Sequence, residues 1–317
     1  MKAILVPEPG GPEALVFGGA PDPVPGPGEV LVRVRASAVN RADLLQAAGR
    51  YPPPPGASEI LGLEAAGVVE RTGEHVFFLL PGGGYAEKVA VPRGMQMAIP
   101  EKMSFVEAAS IPEGWITAWL NLFIEAELKE GDRALIHAGA SGVGTAAIQL
   151  VRRAGATAIA TTRSPRKLGA LITLGAALTI DTSTKDFAAE IEGAQGPNAV
   201  DVILDPVGGA FFERNLRVLA RGGRLVLIAS MAGGSSTIDL RTVLVKRLRI
   251  VGSTLRSRPV DEKIALTQGF LRDVLPGFSD GSLKTVVDSV LPLSRAADAF
   301  RKMAANENVG KIVLTVD

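Results

Sequence analysis

The residues of this chain best spaced to do chemistry are Gly139, Ser141, Gly142, Val143 and Gly144, in the run Arg133-Ala-Leu-Ile-His-Ala-Gly139-Ala-Ser141-Gly142-Val-Gly144. Glycines let a backbone come close to a pyrophosphate, and free N–H groups at the start of a following helix, with the positive end of its dipole, complete an anion cradle. The middle glycine of the usual signature is Ser141 here, so the flanking sequence has to decide. An apolar run precedes the loop and Thr145-Ala-Ala-Ile-Gln-Leu-Val follows it, which is the order strand, phosphate loop, helix. That order predicts a dinucleotide site over an ordinary tight turn.

The end of the next strand decides which dinucleotide, because an NAD site usually offers an acid to the ribose hydroxyls about 20 residues on. Here Ala158-Ile-Ala-Thr-Thr162 runs into Arg163-Ser164-Pro165-Arg166-Lys167, and no Asp or Glu lies between Asp132 and Asp181. A carboxylate about 4 Å from a 2′-phosphate would cost on the order of 4 kcal/mol at an effective dielectric near 20, whereas a guanidinium or ammonium attracts it. Arg163, Ser164 and Lys167 are therefore expected at the phosphate, and the cofactor expected is NADPH. Ser164 and Pro165 also read as N-cap and first residue of the next helix, and the two roles are compatible.

Elements able to position such a loop follow along the chain. Apolar runs near 133 to 138, 157 to 162, 177 to 180, 200 to 205, 224 to 229 and 248 to 252, with helical segments between them, predict an α/β fold built on a six-stranded, doubly wound parallel sheet. Before it, a Pro- and Gly-rich third contains period-two segments such as Glu29-Val-Leu-Val-Arg-Val-Arg35, which is antiparallel β material. After it come two helices, Asp261 to Arg272 and around Arg295 to Ala305, and a last strand, Lys311 to Val316, expected to pack on the first lobe. With 317 residues and 47% hydrophobic content the chain can bury two cores. A net charge of +1 with no basic, aromatic-studded stripe excludes general attraction to nucleic acid or an anionic membrane. No apolar run is long enough to span a bilayer and no leader pattern opens the chain, so a cytoplasmic protein is expected. Zero cysteines exclude disulfides and thiolate-bound metals, and His75 and His137 are too isolated to build another transition-metal site. His137 reads as a core residue, His75 as a surface one, and Trp115 and Trp119 as packing.

Further motifs carry a family resemblance: Asn40-Arg-Ala-Asp43-Leu-Leu-Gln46, Tyr51-Pro-Pro-Pro-Pro-Gly, Leu61-Gly-Leu-Glu64, Leu80-Pro-Gly-Gly-Gly-Tyr-Ala-Glu87, His137 through Gly144, Gly252-Ser-Thr-Leu-Arg-Ser-Arg258 and Asn308-Val-Gly-Lys-Ile-Val313. Over its whole length the chain resembles the medium-chain dehydrogenase/reductases, and among them the zinc-free quinone oxidoreductases related to zeta-crystallin. The resemblance implies a Rossmann NADPH-binding domain at 118–258, a GroES-like β-rich catalytic domain from 1–117 and 259–317, and a homodimer formed through the Rossmann sheets. It also implies cofactor contacts at Ser230 and Met231 after the fifth strand, at Leu255 and Arg256 after the sixth, and at Asn308 and Lys311 near the end. The segment from Asn40 to Asp43 lines the substrate cleft in that family. Asn40 and Asp43 are accordingly read as catalytic or, alternatively, as the N-cap and first-turn acid of the helix through Gln46. Tyr51 either stacks on a flat acceptor or donates a proton to its oxygen, or instead packs against its prolines. Glu64 reads as structural, and Gly82-Gly-Gly84 as a turn in preference to a close backbone approach. Thr182 stands where several relatives cover the adenosine phosphate with a tyrosine.

In zinc-dependent relatives a cysteine occupies the position of Asn40, a histidine that of Leu63, and a second cysteine lies near Glu113; none of these ligands is present. Without a Lewis acid, alcohol oxidation has no evident driver, whereas reduction of an electron-poor acceptor needs less help. The resemblance and the missing ligands predict NADPH-dependent reduction of a small-molecule quinone or enone. An enoyl or 2-alkenal reductase is the first alternative, and an NADPH-binding structural or regulatory protein the second.

Overall fold

The computed structural model describes residues 1–316. The chain forms two compact units: Met1–Ile116 joined by the segment from Leu255 onward, and Thr117–Thr254. Leu255 and Arg256 thus belong to the first unit.

The second unit is built on six parallel strands in the spatial order Leu178–Asp181, Thr157–Thr162, Arg133–Ile136, Val200–Asp205, Leu219–Leu227, Arg249–Gly252. Leu135, Ile159, Ile203 and Leu225 are fully buried along them, which is why these strands read as continuous aliphatic runs without alternation. The chain winds outward from Arg133–Ile136 in one direction and then, from Val200–Asp205, in the other. The carboxyl ends of those two neighbouring strands mark the switch point where ligands of such sheets bind. The fifth strand starts at Leu219, earlier than the apolar run suggested, because its pairing with Val200–Asp205 shifts register around the turn at Gly222, whose φ is +78°.

The first unit carries a seven-stranded, mostly antiparallel sheet centred on Glu29–Ala38, which pairs with Glu64–Val69, Lys88–Pro92 and the last strand, Lys311–Thr315. Val30, Val32, Val34 and Ala36 point into its core at every second position. Register does the positioning. Val313 lies opposite Ala38 in an antiparallel pair, so two residues on, Lys311 faces Asn40; Ser37 lies opposite Ala65, which brings Glu64 to the same end. Three polar residues far apart in the chain are delivered to one point by backbone pairing alone.

Candidate functional site

The phosphate loop leaves the sheet at His137 and turns into the helix Gly142–Arg153. Ser141 caps that helix: its hydroxyl accepts a hydrogen bond from the Gly144 N–H at 3.0 Å. The serine in place of the middle glycine is therefore a capping residue, and such a cap contributes about 1 kcal/mol. The Gly142 and Val143 N–H groups meet no protein acceptor among the described residues and point out of the first helical turn. Gly144 has to be glycine, since a Cβ there would sit 2.5 Å from the Ala138 carbonyl oxygen. A glycine loop with unclaimed N–H groups at a twelve-residue helix fits a dinucleotide pyrophosphate.

Thr162 ends the second strand of the unit, and its hydroxyl accepts from the Ser164 N–H. Pro165–Lys167 form a 3-10 turn leading into the helix Leu168–Leu174, with Ser164 at the cap position but making no side-chain cap bond. Arg163 and Arg166 are exposed. Thr182 folds back onto Thr162, donating from its N–H and its hydroxyl to that carbonyl at 2.8 and 3.2 Å. At the switch point the turn after Val200–Asp205 is stitched to Ser230 and Met231: the Met231 and Ala232 N–H groups donate to the carbonyls of Pro206 and Val207.

Beneath these loops runs a buried polar chain. His137 Nε2 is 2.8 Å from Asn215 Oδ1, Asn215 Nδ2 donates to Asp205 Oδ2 at 2.9 Å, and Asp205 Oδ1 accepts from the N–H groups of Val207 and Gly208. A carboxylate only accepts, so Asn215 turns its NH2 to Asp205 and its oxygen to His137; the imidazole proton then sits on Nε2, and Nδ1 accepts from the Thr161 hydroxyl. The ring is sandwiched by Phe187 and Phe211 at 4.8 Å each, and burial pushes its pKa below the ordinary value. His137 is the core histidine expected from the sequence, while His75 is exposed against Phe105.

The first unit holds the second constellation. Asn40 occupies the cap position of the helix Arg41–Ala47, and its backbone N–H donates to Asp43 Oδ2 at 2.7 Å. Its side chain leaves the helix, Nδ2 donating to Glu64 Oε1 at 2.8 Å and Oδ1 accepting from Lys311 Nζ at 2.7 Å. Asn40 is thus the N-cap residue of this helix, with its amide turned to Glu64 and Lys311. Lys311 also bonds Glu64 directly in an ion pair buried from solvent. Glu64 Oε2 accepts from the backbone N–H of Glu113 at 2.8 Å, so every donor around this carboxylate is supplied by protein. Glu64 itself is fixed by the Ser37 hydroxyl on its carbonyl and by Gly84, where a Cβ would come within 2.9 Å of that same oxygen. The triple glycine is a close backbone approach as well as a turn.

Asp43 is completely buried and accepts from Asn40 N–H, the Tyr85 hydroxyl at 2.8 Å and the Gly62 N–H. Loss of hydration raises its carboxyl to about 6, against these donors. Glu113 keeps a small exposed edge; withdrawal from water, reinforced by the charge of Glu64, raises its carboxyl to about 8. Tyr51 is half-buried, with the Arg256 guanidinium 5.1 Å above its ring. Arg256 is engaged inside this unit, donating to the carbonyls of Pro81 and Tyr51 and to Gln46 Oε1. Lys263 is buried and donates to the Arg256 carbonyl. Leu255 is buried, and Asn308 Nδ2 donates to Gly310 O, shaping the turn that delivers Lys311.

The structure therefore gathers Asn40, Asp43 and Lys311 around Glu64, and Tyr51 beside Arg256. It sets Gly139 to Gly144, Arg163, Ser164, Lys167, Ser230 and Met231 on the other unit. Sequence reasoning took Glu64 as structural and did not put forward Tyr85, Glu113 or Lys263 as site residues; an acid inside the apolar run Leu61 to Val69 was the one available signal. The donor set does not fit zinc: Leu63 is an aliphatic core residue, an ammonium lies between Asn40 and Glu64, and no group of three His, Cys, Asp or Glu side chains able to hold a metal occurs among the described residues. No helix of the described residues is long and apolar enough to cross a membrane.

A parallel doubly wound sheet with a capped phosphate loop, joined to a β-rich unit made from both chain ends, defines an oxidoreductase of the medium-chain dehydrogenase/reductase type. Residues 26–101 match the alcohol dehydrogenase GroES-like domain, and residues 142–268 the family described as zinc-binding dehydrogenase. The chain is 32% identical to the human synaptic vesicle membrane protein VAT-1 homolog, over 93% of this chain and 81% of that protein. Among solved structures it is similar to the quinone oxidoreductase from Thermus thermophilus, known also in complex with NADPH (34% identity, 99% and 100% of the two chains, TM-score 0.87), and to the JamJ enoyl reductase (26% identity, 100% and 99%, TM-score 0.88). The chain belongs to the medium-chain dehydrogenase/reductases, in their zinc-free, quinone oxidoreductase-like family.

Proposed function

We propose that this protein is a cytoplasmic, zinc-independent reductase that uses NADPH to reduce small quinones. The observation that carries the reading is the donor set around Glu64, where an ammonium and an amide stand in place of metal ligands. Such a site offers no Lewis acid to an alcohol but is compatible with an acceptor that is already electron-poor. A reduced nicotinamide, when bound, supplies the hydride. The chain's own residues supply the rest: Gly142 and Val143 N–H groups for the pyrophosphate, Arg163, Ser164 and Lys167 for the 2′-phosphate, and the Tyr51 ring as a flat surface for the acceptor. The NADPH-bound quinone oxidoreductase at 34% identity supports this assignment. Similarity to an enoyl reductase favours a second reading, reduction of a conjugated alkenal or acyl thioester by the same constellation. A homodimer belongs to the proposal: Leu240, Leu244 and Val245 of the helix Leu240–Lys246 are exposed next to the edge strand Arg249–Gly252, in a sheet whose edge is open to a second copy.

The test is absorbance at the reduced nicotinamide band with 1,2- and 1,4-quinones, then alkenals, paired with titration of NADPH against NADH. Oxidation by quinones with tighter binding of NADPH supports the reading, and oxidation by alkenals alone transfers it to the enoyl class. Tight binding with no oxidation by any acceptor leaves a structural or regulatory NADPH-binding protein. Equal affinity for the two nucleotides removes the phosphate role of the Arg163 to Lys167 segment.

A further inference from the structure

Glu64 and Glu113 are two carboxyl groups joined through one backbone N–H, yet they are treated differently. Glu64 receives the Lys311 ammonium, the Asn40 amide and the Glu113 N–H, the full complement for an ionised carboxylate. The Glu113 carboxyl receives no hydrogen bond from protein among the described residues and keeps an edge open to solvent. The charged and titratable groups acting on it are Glu64, Asp43, Lys311, Arg256, Lys263 and Tyr51. Two adjacent carboxylates cannot both be charged cheaply, and the donors have been spent on the first. Glu113 is left as a neutral acid, accessible at one edge, in the group that contains Tyr51.

We propose that Glu113 is the proton donor of the reduction, passing its carboxyl proton to the carbonyl oxygen of an acceptor laid against Tyr51. This rests on the reductase reading above. The Glu113 O–H bond breaks and an O–H bond forms on the acceptor; a reduced nicotinamide, when bound, would supply the hydride with both electrons, so that a quinone would end as the hydroquinone. Lys263 and Arg256 steady the carboxylate left behind, and solvent returns the proton at the exposed edge. The retained proton at neutral pH agrees with the upward shift to about 8, which places the acid near its operating pH, where general acids are most effective.

The experiment combines infrared titration with kinetics on the full-length protein. In the wild type a protonated-carboxyl band present at pH 7 should disappear with a midpoint near 8, and Glu113→Gln should lack it. In the wild type kcat should fall above about pH 8; in Glu113→Gln, kcat should fall by about 10²- to 10⁴-fold, NADPH affinity should hold, and that alkaline loss should vanish. Glu113→Asp, which keeps the acid, should retain that alkaline limb. Absence of the band in the wild type at pH 7 overturns the proposal without any variant. Wild-type turnover with Glu113→Gln equally active and the alkaline limb unchanged overturns it alone, whereas a wild type that reduces no quinone or enone overturns the reductase reading and this proposal with it.

Discussion

Replacing Lys311 by methionine keeps most of the stem and deletes the ammonium, which makes the ion pair with Glu64 accessible to measurement. The structure sets the size of the effect. Glu64 is fully buried, and after the substitution it keeps only the Asn40 amide and the Glu113 N–H as donors. Stranding one partner of a buried pair costs about 3–5 kcal/mol, a large part of the 5–15 kcal/mol that holds a typical domain. The loss should depend on pH in a defined direction. An uncompensated buried carboxylate takes a proton more readily folded than unfolded, so its folded pKa is raised; the stabilising neutral form dominates at low pH and is lost as pH rises. Protonation removes the stranded charge, so lowering the pH should return most of the stability. Glu64→Gln in the same background removes the charge and should return most of it at any pH. Urea unfolding as the pH is lowered, with native-state hydrogen exchange in the strand Glu64–Val69 to read this unit separately, measures both effects. A loss below about 1 kcal/mol at pH 8, or one that does not shrink in acid, would refute the account of Glu64 as a charge held by Lys311.

Gly144→Ala places a Cβ 2.5 Å from the Ala138 carbonyl; the loop must open, at about 1–3 kcal/mol, and NADPH affinity by fluorescence titration should weaken tenfold or more while the strand Glu64–Val69 keeps its exchange protection. Asp43 and His137 give opposite pH responses. With its carboxyl raised to about 6, Asp43 favours folding below pH 4 and loses that contribution, about 3 kcal/mol, as pH rises to 6; Asp43→Asn should flatten the thermal-midpoint curve in that window. His137 is held neutral, so the unfolded chain binds the extra proton and stability falls as pH drops below about 6.5; His137→Gln should remove that acid loss.

What could be read from the sequence was what is local in it. The loop from His137 to Gly144, the basic stretch after Thr162 and the aliphatic runs of the sheet each lie within a dozen residues, where spacing maps directly onto shape. The cap position of Asn40 was legible for the same reason. The destination of its amide was not, because that depends on the register that sets Lys311 and Glu64 beside it. Glu64 looked structural because one acid in an apolar strand says nothing about its counter-ion, and Glu113 was marked only as standing near a missing cysteine because its environment is made of residues from 43 to 311. The resemblance implied a cofactor contact at Arg256; what no local pattern showed is that its guanidinium is held by Pro81, Tyr51 and Gln46. The fifth strand was mis-started because a bulge leaves no mark on hydrophobic pattern.

The union of Lys311 with Glu64 spans 247 positions of chain. During synthesis, then, the early strands leave the ribosome with a carboxylate whose counter-ion has yet to be translated. The parallel sheet of the other unit has all its strands in hand by Gly252 and can condense first, whereas the unit containing Glu64 stays unfinished until the strand Lys311–Thr315 is made. A nascent or clipped polypeptide lacking the strand Lys311–Thr315 should carry a folded parallel-sheet unit beside an uncompensated interior charge, the kind of half-assembled species that chaperones retain and proteases remove.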